Sequence, residues 1–147
     1  MMIGVDTNVL LRYLLPDEDR RQGKLATALL SDASARGEPV FVSCIVLCEL
    51  VWTLRSSYKL PKGDVLAVLH QILARADSTA ADSDAGTPFV VEDRVLLEQA
   101  VADYAAGRAD FADHLIGRLA KASGATTTYT FDRTAAATAS FKLLRAR

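Results

Sequence analysis

The chain has 147 residues, 50% hydrophobic and 24% charged, with a formal net charge of −1 and two cysteines. That length and mix build one well-packed core, which excludes a disordered chain and a disulfide-stapled miniature fold. The near-zero charge gives no whole-molecule attraction to nucleic acid and leaves local basic clusters open, while no apolar stretch reaches the ~20 residues of a membrane span. The start of the chain also lacks the charged-then-apolar layout of a signal peptide, so a cytoplasmic protein without a membrane segment is expected.

Taken in chain order, "MIGV" reads as a short strand and "TNVLLRYLL" as the helix after it. Leu25 and Leu29 mark a helix over about 20–36. "PVFVS" is a second strand, followed by the helix "CIVLCELVWTLRSSY". Val65, Leu66, Leu69, Ile72 and Leu73 recur at helical spacing over about 63–76, where His70 is expected at the edge of the core. The small, polar "ADSTAADSDAGTP" reads as a loop within one domain spanning 1–147. "TPFVV" and "TTTYTF" are the third and fourth strands, each followed by a helical stretch, and "SFKLLRAR" adds a short edge strand. Strands alternating with helices define an α/β fold with a mostly parallel sheet. Cys44 and Cys48 lie in an apolar segment with no second pair or nearby histidine, so they are expected as small core residues and not as zinc ligands.

In such a sheet ligands bind outside the carboxyl ends of the strands. Asp6 follows the first strand and Asp132 the fourth, which directs both to that edge, although each is also placed to cap the helix it precedes. Glu49 is different. Residues 44 to 54 contain only Glu49 and Thr53 as polar members, and a helix apolar all round is a buried helix. Glu49 is therefore expected inside the protein, facing a cation, a polar cleft, or an ion-pair partner such as Arg12 or Arg55. Ser43 is the better cap for that helix. Asp110 and Asp113, three apart in "GRADFADHLIGRLAKASG", share a face at a helix start, where they serve either as cap and dipole partner or as two further acids of the crevice.

Five carboxylates around one cleft repel one another, and oxygen-only ligands suit a hard divalent cation, Mg²⁺ or Mn²⁺. Such a site suits phosphodiester chemistry. Arg12, Arg55, Lys59, Arg118 and Arg133 are available for phosphate contacts, but exposed basic residues on helices are usually solvated.

The ordered set "GVDTNVLLRYLL", "VSCIVLCELVWTL", "ADFADHLIGRLA" and "TTTYTFDR" resembles the PIN-domain ribonucleases, most closely the VapC-type toxins of prokaryotic toxin–antitoxin pairs. Asp6, Glu49, Asp113 and Asp132 fall on that family's four acidic positions, with Asp110 as a frequent additional acid and Thr7, Asn8 and Thr130 as polar neighbours. The resemblance implies a three-layer α/β/α sandwich with a mostly parallel four- or five-stranded sheet and Mg²⁺- or Mn²⁺-dependent endoribonuclease activity. It also implies an RNA substrate, a small cognate antitoxin of VapB-like kind, and a homodimer. His114 departs from the small residue common at its position and is expected outside the metal shell, beside Asp110. The competing readings are a catalytically inactive PIN-like RNA-binding or interaction module and, more distantly, a phosphoacceptor signalling domain. The latter needs a lysine after the last core strand, where this chain has "TFDR".

Overall fold

The computed structural model describes residues 1–77 and 89–146, which form two compact units, Met1–Glu92 and Asp93–Arg147. Residues 78–88, most of the stretch read as a loop, lie outside the described residues.

In the first unit a three-stranded parallel sheet runs in the order β1 (Ile3–Gly4), β2 (Val40–Val42), β3 (Phe89–Val91). Ile3 is in register with Val40, and Val40 with Phe89. Parallel neighbours need crossovers, and helices supply them. Helix α1 (Thr7–Leu14) starts at Asp6, whose extended backbone and side chain cap it, and it buries Thr7, Leu10 and Leu11. Pro16 opens a short 3₁₀ turn, and Asp19 caps α2 (Arg20–Ala35) by accepting from the Gln22 backbone N–H at 3.0 Å. Gly37, with φ of 66°, turns the chain into β2, a conformation that favours glycine. Ser43 caps α3 (Cys44–Ser56) through the Val46 N–H at 3.2 Å, as its sequence position indicated. Helix α4 (Lys62–Asp77) follows Pro61 and buries Val65, Leu69, Ile72 and Leu73. His70, expected at the core edge, is exposed instead: it flanks that buried row without lying on it. Leu10, Leu30, Val40, Leu47, Leu50, Leu54 and Phe89 are among the fully buried side chains of this unit.

Gly23 is where α2 meets the turn before it. A Cβ there would fall 2.7 Å from the Pro16 Cα and still closer to the Pro16 carbonyl oxygen. Backbone atoms cannot rotate away, so Gly23→Ala is expected to lower stability by about 1–3 kcal/mol, the range of overpacked sites. A fall of several degrees in thermal midpoint relative to Gly63→Ala, where a Cβ meets nothing within 4 Å, would bear this out.

The second unit holds α5 (Arg94–Ala106), α6 (Phe111–Ala122), β4 (Thr128–Thr130), α7 (Arg133–Ala136) and β5 (Phe141–Leu143). Helices α5 and α6 pack through the rings of Tyr104 and Phe111, with centroids 5.8 Å apart, and are tied by the two-pronged Arg118–Asp103 ion pair at 2.6 and 2.8 Å. Strands β4 and β5 pair in parallel, Thr128 against Phe141. Gly117 lets α6 approach that pair, since a Cβ there would meet the Ser140 hydroxyl and the Phe141 ring. Among the described residues the five strands are those read from the sequence, three in one unit and two in the other, all parallel to their partners.

Candidate active site

In the first unit Asp6 leaves β1 and caps α1: its Oδ1 accepts from the Val9 N–H at 2.9 Å. A carboxylate has a second oxygen, and among the described residues Oδ1 alone of Asp6 is engaged. Capping and ligand binding are therefore compatible at this residue. Asp6 and Asn8 are exposed and line a groove of about 290 Å³ with Val9, Arg12, Gln22 and Leu25, while Thr7 is buried.

Glu49 corrects the expectation drawn from its apolar surroundings, because it is exposed. The inward stripe of α3 is Leu47, Leu50, Val51 and Leu54, at helical spacing. The opposite side carries Ile45 and Trp52, which are 70% and 69% exposed, and Glu49 lies between them. The window is apolar all round, but only one side of it is covered. Neither suggested ion-pair partner is taken up with Glu49: Arg12 donates to the Gln22 amide oxygen and the Tyr58 hydroxyl, and Arg55 to the Leu60 carbonyl. The Glu49 charge does register on its neighbour Cys48, whose thiol is pushed up first by burial and then by that carboxylate. Cys44 is buried, with its Sγ 3.6 Å from the Glu92 carbonyl oxygen, and Cys48 is half-buried.

In the second unit Asp110 stands at the N-cap of α6 with no side-chain cap bond. Asp113, in the first turn, accepts instead from the Asp110 backbone N–H, which is the reach-back half of a capping box. Its carboxyl is held above the ordinary aspartate range, chiefly by desolvation. The Asp110 N–H and the nearby His114 oppose that shift, and the negative charges of Asp110 and Asp132 add to it. Asp113 therefore feels the charges of both other second-unit acids. Asp132 caps α7, its Oδ1 accepting from Thr134 at 2.7 Å and Ala135 at 3.2 Å, and its own N–H donates to the Thr130 hydroxyl at 3.0 Å. Thr130 thus anchors the backbone N–H of Asp132. His114 is only 4% exposed, with its ring where a Cβ of Gly107 would fall, 2.9 Å from Cε1. It also helps hold the Asp103 carboxyl below the usual range, behind the larger effect of Arg118.

Among the described residues no group of three or more His, Cys, Asp or Glu side chains is gathered tightly enough to hold a metal ion. The donor chemistry is still that of a hard cation: carboxylate oxygens alone, with charge repulsion on Asp113 of the kind a cation relieves.

A family model described as PIN domain matches residues 3–140, nearly the whole chain. The chain belongs to the PIN domain family, whose members are generally nucleases that use a divalent metal. No curated protein and no solved structure gives a significant match. Among the described residues no helix is long and apolar enough to cross a membrane.

Proposed function

We propose that this chain is a Mg²⁺- or Mn²⁺-dependent endoribonuclease and the toxin of a type II toxin–antitoxin pair. We further propose that Asp6, Glu49, Asp113 and Asp132 are its catalytic carboxylates, with Asp110 in support. The observation that carries this reading is the family match over residues 3–140, which contains all five acids. On this reading the two compact units are parts of a single PIN domain. When bound, a divalent cation polarises the scissile phosphate and lowers the pKa of an attacking water, so the chain needs no nucleophilic side chain of its own. The carboxylates orient and neutralise, and the hydrogen bonds that cap α1 and α7 through Asp6 and Asp132 fix the rotamers of those two side chains. The exposure of Glu49 suits a ligand that must meet a polyanion arriving from solvent.

Purified protein incubated with total RNA should cut it in Mg²⁺ or Mn²⁺ and not in EDTA, leaving 5′-phosphate and 3′-hydroxyl ends. A 2′,3′-cyclic phosphate would mean that the ribose hydroxyl attacks, and the metal–water reading would fall. The toxin reading adds a cytoplasmic homodimer and a small VapB-like antitoxin that lays a basic side chain among the acids, arginine being favoured for its two-pronged pairing with carboxylates. Expression of the chain alone is expected to arrest growth, and co-expression of a neighbouring small open reading frame to relieve it. Normal growth at high levels of soluble, RNA-cutting protein would refute the toxin role.

A further inference from the structure

The second unit carries a surface that neither its packing nor its acids use. Side chains alternate along β4 and β5, and the outward set is Tyr129 and, one residue past the strand, Phe131, with Lys142 and Leu144 on the neighbouring strand. Tyr129 is 61% and Phe131 81% exposed, and Lys142 is the register partner of Tyr129. Two aromatic rings so uncovered on one short segment are unusual, because large apolar groups are normally turned inward. Beside them, α7 and β5 line an open cavity of about 1090 Å³ that includes Phe131, Arg133, Lys142 and Arg145 and no carboxylate. Among the described residues no salt bridge or side-chain hydrogen bond engages those three cations. In a chain of net charge −1, residues 133 to 147 contain four basic residues and no acidic one.

We propose that this face binds single-stranded nucleic acid, with Phe131 and Tyr129 as the platform on which unpaired bases stack and Arg133, Lys142 and Arg145 on the phosphates. Uncovered rings flanked by cations are the combination that recognises a single strand. The rings are two strand rises apart, about 6.6 Å, so each takes its own base. A duplex cannot use them, since its bases are already stacked. The proposal rests on the nuclease reading and adds to it a surface that holds the strand: Phe131 adjoins Asp132, so a strand held here passes a residue proposed for the chemistry.

The test is equilibrium binding of an end-labelled, uridine-rich RNA oligonucleotide in EDTA, read by fluorescence anisotropy over a salt series, with an RNA duplex as competitor. The single strand should bind in preference to the duplex. Phe131→Ala should weaken it about 5- to 150-fold, the range of a lost base–aromatic stack, and Phe131→Trp should restore it. Replacing Arg133, Lys142 and Arg145 together by Ala should lower the slope of log affinity against log salt by about 2, at about 0.7 per phosphate contact. Unchanged affinity and slope in these variants would overturn the proposal. So would equal binding of the duplex, or a Phe131→Ala variant that loses self-association in sedimentation while keeping its RNA affinity, which would make the face a contact between copies. Binding through these residues without any cutting when Mg²⁺ is added would remove the nuclease reading and leave this surface standing. Cutting with unaltered affinity in the variants would do the reverse.

Discussion

Asp113→Asn should cut RNA at least about a hundredfold more slowly than the wild type, the loss that follows removal of one preorganised electrostatic group, yet melt no lower in EDTA. The Asp113 carboxyl is raised above its ordinary range chiefly by desolvation and further by the charges of Asp110 and Asp132. An acid whose folded pKa is raised stabilises the fold fully below its unfolded pKa, and that contribution is lost as pH rises through the folded value. Between the ordinary aspartate range and the raised one, the metal-free wild type should therefore lose stability that the Asn variant keeps. The Asn oxygen can still accept from the Asp110 N–H, so the local fold survives. Asp113 is partly solvated, which keeps the expected gain to a few degrees at most. Thermal melts in EDTA across that acidic range decide the matter. A variant that is clearly less stable at neutral pH would make Asp113 a structural acid.

The second large effect is that of the cation. Millimolar Mg²⁺ or Mn²⁺ should raise the wild-type midpoint by about 5–11 °C, the equivalent of about 2.7 kcal/mol at a hundred times the dissociation constant. Asp6→Asn, Glu49→Gln and Asp113→Asn should each shrink that shift. NaCl matched in ionic strength provides the control, since general screening acts on every exposed carboxylate and a bound ion acts on a few. A midpoint that moves equally with both salts would speak against a built metal site. Glu49 is the most informative variant, because among the described residues it caps no helix and pairs with no arginine, so its loss has little structural consequence to hide behind.

The elements of this fold were legible because apolar runs here are short and sharply bounded: "PVFVS" and "TPFVV" have no helical period, and Ser43 and Asp19 sit where caps belong. Capping was legible at Asp6 and Asp132 for the same local reason. Burial was not. The composition around Glu49 could not tell an apolar side that is covered from one that is not, and Ile45 and Trp52 belong to the second kind. The His114 ring enters the space left by Gly107, a packing relation between α5 and α6 that no spacing within one helix reveals. Arg118 looked like a solvated cation and is instead held by Asp103 from the neighbouring helix, whereas Arg133 kept the free exposure expected of it. The acidic set was read through family resemblance, and its members differ in how the fold holds them: capping at Asp6 and Asp132, reach-back at Asp113, exposure at Glu49.

The register of the strands also sets a timetable for the nascent chain. Ile3 waits 37 residues for Val40, and Val40 waits 49 for Phe89, whereas Thr128 meets Phe141 after only 13. At about 5–20 residues per second, the first partner follows about 2–7 s after Ile3 and the third strand up to about 10 s after the second, while β4 and β5 are complete within about 1–3 s of each other. During the longer intervals β1 and then β2 present apolar, unpaired edges on the ribosome, so the first sheet is the part of this chain most exposed to chaperones and to aggregation before it closes.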